Sequence, residues 1–151
     1  LLGPERSTGL QLAQQPFAFL ASDLTDSVLE TGRAAIYPKV ALAPVPAPLR
    51  NNWTKDAGDT LQIADPIRKL VRFRRLNLLG DWPFTKAFNV IFCRNVMIYF
   101  DEPTKEHLVE RLADCLEPGG YLYIGHSERL PGASGRHFEM VGKTIYRKRH
   151  A

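Results

Sequence analysis

The feature that most constrains the fold is a strand–helix–strand pattern between residues 88 and 124. Residues 88–93 are an almost continuous apolar run of strand length, as expected for a parallel strand covered on both faces. Residues 101–103 give a helix start signal. One apolar helix face follows, made of Leu108, Val109, Leu112, Ala113 and Leu116. The Pro-Gly-Gly run at 118–120 is predicted to end that helix, before a second strand at 121–124.

The first half of the chain carries another strand–helix pattern. Residues 17–21 are predicted to form a short buried strand that ends at Ser22 and Asp23. Residues 25–36 are predicted to form a helix capped by Thr25 or Asp23. Its inward face is expected to contain Val28, Leu29 and Ala35. Four prolines between residues 37 and 49 exclude a long helix or a central strand, so that stretch is predicted to be a connector.

Two hairpins and one more strand complete the predicted fold. Gly58-Asp59 lies between two extended segments and predicts a small hairpin over residues 53–64. Residues 71–75 alternate apolar groups with Arg72 and Arg74, which predicts a strand. Residues 138–141 and 144–147 are predicted to form a final antiparallel pair. The fold class is therefore α/β, a doubly wound sheet with an antiparallel edge.

Composition indicates one ordinary soluble domain and excludes a large multidomain enzyme. The chain has 151 residues, of which 44% are hydrophobic and 24% charged. Lys and Arg number 20 against 16 Asp and Glu, which gives a net charge of +4. One solvated face with a few extra arginines explains that excess as well as nucleic acid does.

Cysteine and histidine usage narrows the chemistry further. Only Cys93 and Cys115 are present, which suggests a reducing, cytoplasmic setting. The four histidines do not pair with each other or with the cysteines at metal-ligand spacing, so no metal site is expected. No apolar stretch approaches the roughly 20 residues of a membrane span. The sequence contains no Gly-rich phosphate-binding motif, neither G-x-G-x-x-G nor a Walker pattern.

Ligands of open α/β sheets bind outside the carboxyl ends of the strands, so the residues that follow each strand are candidates. Asp23 follows the first strand and could either accept hydrogen bonds from a ribose or cap the next helix. Asn77 and Leu78 follow the predicted strand at its last residue, Leu76, and could hold a purine or simply form a turn. His126 follows the 121–124 strand, where an acid–base role and a hydrogen-bonded loop position are both open.

Arg94 is the strongest single functional signal. It directly follows the buried 88–93 strand, where a charged side chain is costly to desolvate unless it is paired or used. A buried ion pair that holds the sheet is the alternative. A separate basic run could meet an acidic partner or phosphates, although a solvated strand face explains it as well. That run consists of Arg68, Lys69, Arg72, Arg74 and Arg75.

The stretch FNVIFCRNVMIYFDEPT, residues 88–104, closely resembles the chemotaxis receptor methyltransferases, the CheR family. Three further stretches match in family order: FLASDLTDSVLETGRAAIY from Phe19, LVRFRRLNLL from Leu70 and LEPGGYLYIGHSERL from Leu116. The resemblance covers residues 17–147. It implies a Rossmann-like methyltransferase domain over residues 17–151, with residues 50–66 as a small β-subdomain insertion that docks a receptor tail in some members.

The resemblance also implies an activity and a set of site residues. The family transfers methyl from S-adenosylmethionine to glutamate side chains of chemoreceptors and leaves S-adenosylhomocysteine. Asp23 matches the acidic residue that contacts the cofactor's ribose, and Asn77 with Leu78 matches the pair that contacts the cofactor. Arg94 and Tyr99 match residues that face the methyl donor and the incoming glutamate, with Asn95 beside them. The resemblance thus implies a protein-glutamate O-methyltransferase.

The family's opening strand and glycine-containing cofactor loop are not recognisable before Phe17. Residues 1–16 are therefore expected to be the remnant of the helix after that loop, and the chain alone is expected to bind cofactor poorly. A free sheet edge would allow self-association between chains. The missing loop motivates a second hypothesis, a degenerate non-catalytic module that binds a signalling partner. A third hypothesis is a nucleic-acid binder that uses the basic run.

Overall fold

The computed structural model describes residues 18–150, and it has a mixed α/β architecture in two compact units that divide between Asn77 and Leu78. The expected helix remnant at residues 1–16 lies outside the described residues. Sheets of two, three and four strands form within the described part of the chain. The α/β class predicted from the sequence is confirmed at this level.

Over residues 18–77, the first unit has two small sheets and three short helices. Its elements are β1 (Phe19–Asp23), α1 (Asp26–Ala34), β2 (Ile36–Pro38), α2 (Ala47–Trp53), β3 (Thr54–Ala57), β4 (Thr60–Ile63), α3 (Asp65–Arg68) and β5 (Val71–Arg75), with a 3₁₀ turn at Lys39–Leu42. Strands β1 and β5 pair in parallel, whereas β2, β4 and β3 form an antiparallel sheet in that order. The predicted hairpin is confirmed as β3–β4, and the 71–75 strand as β5.

Helix α1 packs on β5 through its smallest residue. A Cβ atom on Gly32 would collide with the ring of Phe73, so only glycine lets the helix lie this close to the strand. Leu29 is buried on the same face. The helix ends where Ala35 turns to φ 53° and its N–H donates to the carbonyl of Thr31 at 3.0 Å.

Three expectations for the first unit need correction. The first strand runs from Phe19 to Asp23, so it includes the two residues at which it was predicted to end. The described residues do not bury it as predicted, since Phe19 is 41% and Leu20 37% exposed. Val28 is 53% exposed, because the stripe that faces inward is set by Leu29 and Gly32, one residue further round the helix. The proline-rich connector has no long helix or central strand, as predicted. It nevertheless contains the short edge strand β2 and the start of the short helix α2, since a proline is tolerated at a sheet edge and in a first helical turn.

The second unit is a four-stranded sheet with one long helix. Its elements are β6 (Phe88–Cys93), α4 (Glu102–Asp114), β7 (Leu116–Ile124), β8 (Phe138–Gly142) and β9 (Ile145–Lys148), with 3₁₀ turns at Met97–Tyr99 and Ser134–His137. The strand order is β6-β7-β9-β8, in which β6 and β7 are parallel and the other pairs antiparallel. The predicted terminal hairpin is confirmed as β8–β9.

Helix α4 supplies four of the buried residues in the core of this unit. It begins with Asp101 as its cap, whose side chain accepts a hydrogen bond from the N–H of Thr104 at 3.0 Å. Hydrogen bonds from the side chain and the N–H of Thr104 lower the pKa of Asp101. Four residues of the predicted apolar face lie in the helix and are at most 4% exposed: Leu108, Val109, Leu112 and Ala113. The fifth, Leu116, is buried as well, but it begins β7 because the helix already ends at Asp114.

Two predictions for the sheet of the second unit are wrong. Strand β6 is not covered on both faces by described residues of this unit, since Val90 is 42% and Phe92 69% exposed. Ile91 and Cys93 alternate with them and turn toward the core instead. The Pro-Gly-Gly run does not end the helix but lies inside β7. Gly119 adopts φ +79°, and a Cβ on Gly120 would lie 3.0 Å from the carbonyl of Asn89, so the run forms an irregularity in the strand.

Leu122→Ala is expected to lower the free energy of unfolding by about 2–5 kcal/mol. The side chain of Leu122, on β7, is fully buried in the core that α4 covers, so truncation leaves a cavity. Urea denaturation followed by circular dichroism measures the change. Met140→Ala is the matched control, since Met140 is 68% exposed, and it should cost less than about 0.5 kcal/mol. Equal losses in the two variants would contradict the assigned core.

Candidate active site

The carboxyl ends of β1 and β5 lie side by side in the first unit. Asp23 is opposite Arg75 in the parallel register, and the N–H of Leu76 donates to the carbonyl of Asp23 at 3.0 Å. Asn77 follows directly in the chain. Two of the predicted site residues, Asp23 and Asn77, are therefore brought to the same edge of one sheet, although they are far apart in sequence.

Asp23 uses only part of its hydrogen-bonding capacity within the chain. Its Oδ1 accepts a hydrogen bond from the N–H of Thr25 at 2.8 Å, which stabilises the turn into α1. No donor among the described residues contacts Oδ2. The sequence left helix capping by Asp23 or Thr25 as the alternative to ribose binding, but Thr25 occupies the cap position and no side-chain cap bond forms. The turn that Asp23 stabilises instead is compatible with a hydroxyl-binding role. A carboxylate with one open oxygen at a strand end suits the paired hydroxyls of a ribose.

Arg75 braces the same turn from the neighbouring strand. Its Nε donates to the carbonyl of Leu24 at 3.1 Å, and its Nη1 lies 3.9 Å from a carboxylate oxygen of Asp26. Arg68 also makes contacts within this unit: it donates hydrogen bonds to the carboxylate of Asp65 and to the carbonyl of Arg33. Two of the five basic residues in the 68–75 run therefore serve the fold of this unit rather than standing free for phosphates.

Leu78 begins the second unit, where Arg111 of α4 holds it. Arg111 donates from Nη1 to the carbonyl of Leu78 at 2.9 Å and from Nη2 to the carbonyl of Gly80 at 2.5 Å. Its guanidinium also lies 4.1 Å from the ring centroid of Trp82. The prediction from sequence missed Arg111. Its only signal was a cation on the helix face next to buried leucines.

Arg94, Asn95 and Tyr99 lie in the loop that leaves β6. Arg94 is exposed and forms no ion pair with an acid of the described residues, so the expectation of a desolvated or ion-paired arginine is wrong. Tyr99 is 80% exposed in the short 3₁₀ turn, and Asn95 adopts a left-handed backbone with φ 59°. Chain continuity brings the three residues into one loop, with the charged and phenolic groups open to solvent.

A buried acid, Glu128, underlies that loop and was not predicted to be important. It is 4% exposed, and its carboxylate accepts hydrogen bonds from the N–H groups of Asn95, Val96, Met97 and Gly125. The available signal was an acid placed four residues after the end of a buried strand. His126, in the same loop after β7, is exposed.

Cys93, the last residue of β6, is a buried thiol rather than a reactive one. Burial raises its pKa to about 11, and the negative charge of Glu128 contributes in the same direction. The thiol therefore stays protonated at neutral pH. Cys93 and Cys115 are both free, and neither is placed to act as a nucleophile at the loop.

Residues 18–150 present neither a metal-ligand cluster nor a membrane-spanning helix. No group of three or more His, Cys, Asp or Glu side chains there could hold a metal ion. None of the described helices is both long enough and apolar enough to cross a membrane. A cavity of about 380 Å³ lies around the Lys39–Asp56 ion pair of the first unit, away from the strand ends.

Comparison with known proteins gives consistent matches. Residues 7–147 match the family model described as CheR methyltransferase, SAM binding domain. A probable chemotaxis protein methyltransferase of Rhizobium etli is 41% identical over 140 residues, which are 90% of this chain and 52% of the relative. Chemotaxis protein methyltransferase 2 of Pseudomonas aeruginosa is 40% identical over 136 residues, 87% of this chain and 48% of the relative. The chain thus spans about half the length of these relatives.

Gly125→Ala is expected to destabilise the second unit by about 1–3 kcal/mol, because a Cβ there would collide with Oδ1 of Asn95 and lie 2.7 Å from Oε2 of Glu128. Gly132→Ala is the matched control, since nothing lies within 4 Å of a Cβ at that position. Chemical denaturation of both variants measures the difference. A loss at Gly125 no greater than at Gly132 would contradict the close contact of the two loops.

Proposed function

Since this chain belongs to the CheR methyltransferase family, we propose that it is part of an S-adenosylmethionine-dependent protein-glutamate O-methyltransferase that modifies chemoreceptors. The observation that carries the proposal is the position of Asp23 and Asn77 at the carboxyl ends of two paired parallel strands. The relatives named as chemotaxis methyltransferases support the receptor as substrate.

We propose for the fold the doubly wound, Rossmann-like sheet that the family implies. The parallel pairs β1–β5 and β6–β7 support it, and the β8–β9 hairpin is its antiparallel edge. In this proposal residues 17–151 form the methyltransferase domain. The segment 50–66, with β3 and β4, is a small β-subdomain inserted before β5.

S-adenosylmethionine supplies a methyl group on a positively charged sulfur. On the chain's side, Oδ2 of Asp23 accepts hydrogen bonds from the ribose hydroxyls, because Oδ1 is already held by Thr25. Asn77 and Leu78 hold the purine with an amide and an apolar side chain. The backbone of Leu78 is kept in place by Arg111, so this side chain meets the cofactor from a fixed position.

The receptor glutamate needs no general base, since a carboxyl with a pKa of about 4.3 is already ionised at neutral pH. The chain's task is then to orient the carboxylate and exclude water. The exposed guanidinium of Arg94 offers N–H donors in the fork geometry that a carboxylate accepts. Tyr99 forms a wall of the methyl path and donates a hydrogen bond, with Asn95 beside Arg94.

The positive charge of the chain fits an acidic partner surface. Arg72 and Arg74 are exposed on β5, and neither forms an ion pair among the described residues. We propose that they face acidic patches of the receptor rather than nucleic acid.

Self-association through a free sheet edge is a further proposal, tested by the oligomeric state at rising protein concentration.

Asp23→Ala in the full-length protein is expected to raise the dissociation constant for S-adenosylmethionine about tenfold or more, because it removes a charged acceptor from the ribose site. Isothermal titration calorimetry measures the change. Asp59→Ala removes the same charge from the exposed β3–β4 turn and should leave affinity unchanged. Unchanged affinity in Asp23→Ala would refute the assigned ribose contact.

Arg94→Ala is expected to lower kcat/KM for methyl transfer to a receptor cytoplasmic fragment by about 10- to 100-fold, with cofactor affinity nearly unchanged. Transfer of labelled methyl, released by mild base as methanol, measures glutamyl ester formation. Lys143→Ala removes the same charge in the β8–β9 turn and serves as the control. A full-length protein that binds cofactor and receptor but transfers no methyl would support the non-catalytic module instead.

A further inference from the structure

We propose that Glu128 is a positioning residue for methyl transfer, because its buried carboxylate holds the backbone that carries Arg94. The inference rests on the proposed function, in which Arg94 orients the substrate carboxylate. Glu128 does not touch substrate or cofactor in this account. It acts through the loop after β6, and it connects that loop to the one after β7.

The contacts of the carboxylate divide evenly between its two oxygens. Oε1 accepts from the N–H groups of Val96 at 2.9 Å and Met97 at 2.7 Å. Oε2 accepts from the N–H groups of Asn95 at 3.1 Å and Gly125 at 2.5 Å. Three successive N–H groups that converge on one anion form a concave donor site of the kind that binds phosphates or carboxylates in other proteins. Here a side chain of the protein fills that site.

The surroundings of Glu128 leave little room for another arrangement. Gly125 has no space for a Cβ between Asn95 and Glu128, and Asn95 holds a left-handed backbone that few residues adopt easily. Met97 is 1% exposed, so its N–H has no water to bond if the carboxylate is removed. The backbone on the C-terminal side of Arg94 is therefore held by hydrogen bonds, although the Arg94 side chain is exposed.

The cofactor contacts do not depend on this carboxylate. Asp23 is oriented by Thr25 and Leu78 by Arg111, and neither contact involves Glu128. Loss of the Glu128 hydrogen bonds should therefore disturb the position of Arg94 more than the affinity for cofactor. A residue that only stabilised the fold would lower cofactor binding and methyl transfer together.

The test uses Glu128→Gln in the full-length protein, with Glu117→Gln as a matched control on the exposed start of β7. In either orientation the amide turns an NH₂ group toward two backbone N–H donors. We expect kcat to fall about tenfold or more while the cofactor dissociation constant changes less than about threefold. Hydrogen exchange of Asn95, Val96, Met97 and Gly125 should become faster in Glu128→Gln only.

Glu128→Asp is the control for misfolding of Glu128→Gln. It keeps the carboxylate but shortens its reach, so it should recover part of the lost kcat while the far-ultraviolet circular dichroism stays that of the parent protein. Unchanged kcat in Glu128→Gln, or a kcat loss matched by an equal loss of cofactor binding, would overturn the positioning role. A parent protein that transfers no methyl would instead overturn the proposed function, and the positioning role with it.

Discussion

Burial of the apolar stripe of α4 against β6 and β7 is the constraint on which the second unit depends. Leu108, Val109 and Leu112 recur with the period of a helix and are almost completely buried. Because the helix crosses between two strands that must run parallel, both strands finish at the same edge of the sheet. The loops after Cys93 and Ile124 therefore adjoin, and the candidate catalytic residues of this unit lie in the first of them.

Where the two parallel strands β6 and β7 end together, the backbone N–H groups that follow β6 need hydrogen-bond acceptors. The N–H groups of residues 95–97 leave the sheet without a strand or helix partner, and a buried donor without an acceptor is costly. Glu128 satisfies these groups from the neighbouring loop. The buried charge at this edge is thus an anion bound by the backbone, while the cation, Arg94, remains in solvent. In the proposed function, this exposed guanidinium is the group that binds the substrate carboxylate.

In the first unit, Asp23 likewise combines a structural contact with a group that remains unbound within the described chain. One oxygen of its carboxylate holds the turn into α1, and no donor among the described residues contacts the other. A residue that is fixed by the fold through one atom presents its second atom with little freedom to lose on binding. Arg111 has a similar double use in the second unit, since it ties down Leu78 and also lies on the ring of Trp82. In both cases a structural contact orients the proposed cofactor contact.

The features that depend on neighbouring residues in the sequence could be predicted, and those that depend on distant segments could not. Helix α4 with its inward residues Leu108, Val109, Leu112 and Ala113, the β3–β4 turn and the β8–β9 turn follow from neighbouring residues, and they were predicted correctly, whereas Leu116 lies in β7. The family was also recognisable from short motifs. The helix α2, the position of the Pro-Gly-Gly run inside β7 and the exposure of Val28 were missed, because pairing and burial by other segments override local preference there.

The candidate site divides in the same way. Its residue types, Asp23, Asn77, Leu78, Arg94, Asn95 and Tyr99, could be named from the sequence because strand ends and family motifs are local. Only the tertiary structure decided that Arg94 is exposed and that Glu128 is buried under its loop. Glu128 reaches the N–H of Asn95 across 33 residues of chain. Periodicity and motifs determine elements and family, whereas burial and hydrogen-bond partners depend on which distant segments the fold brings together.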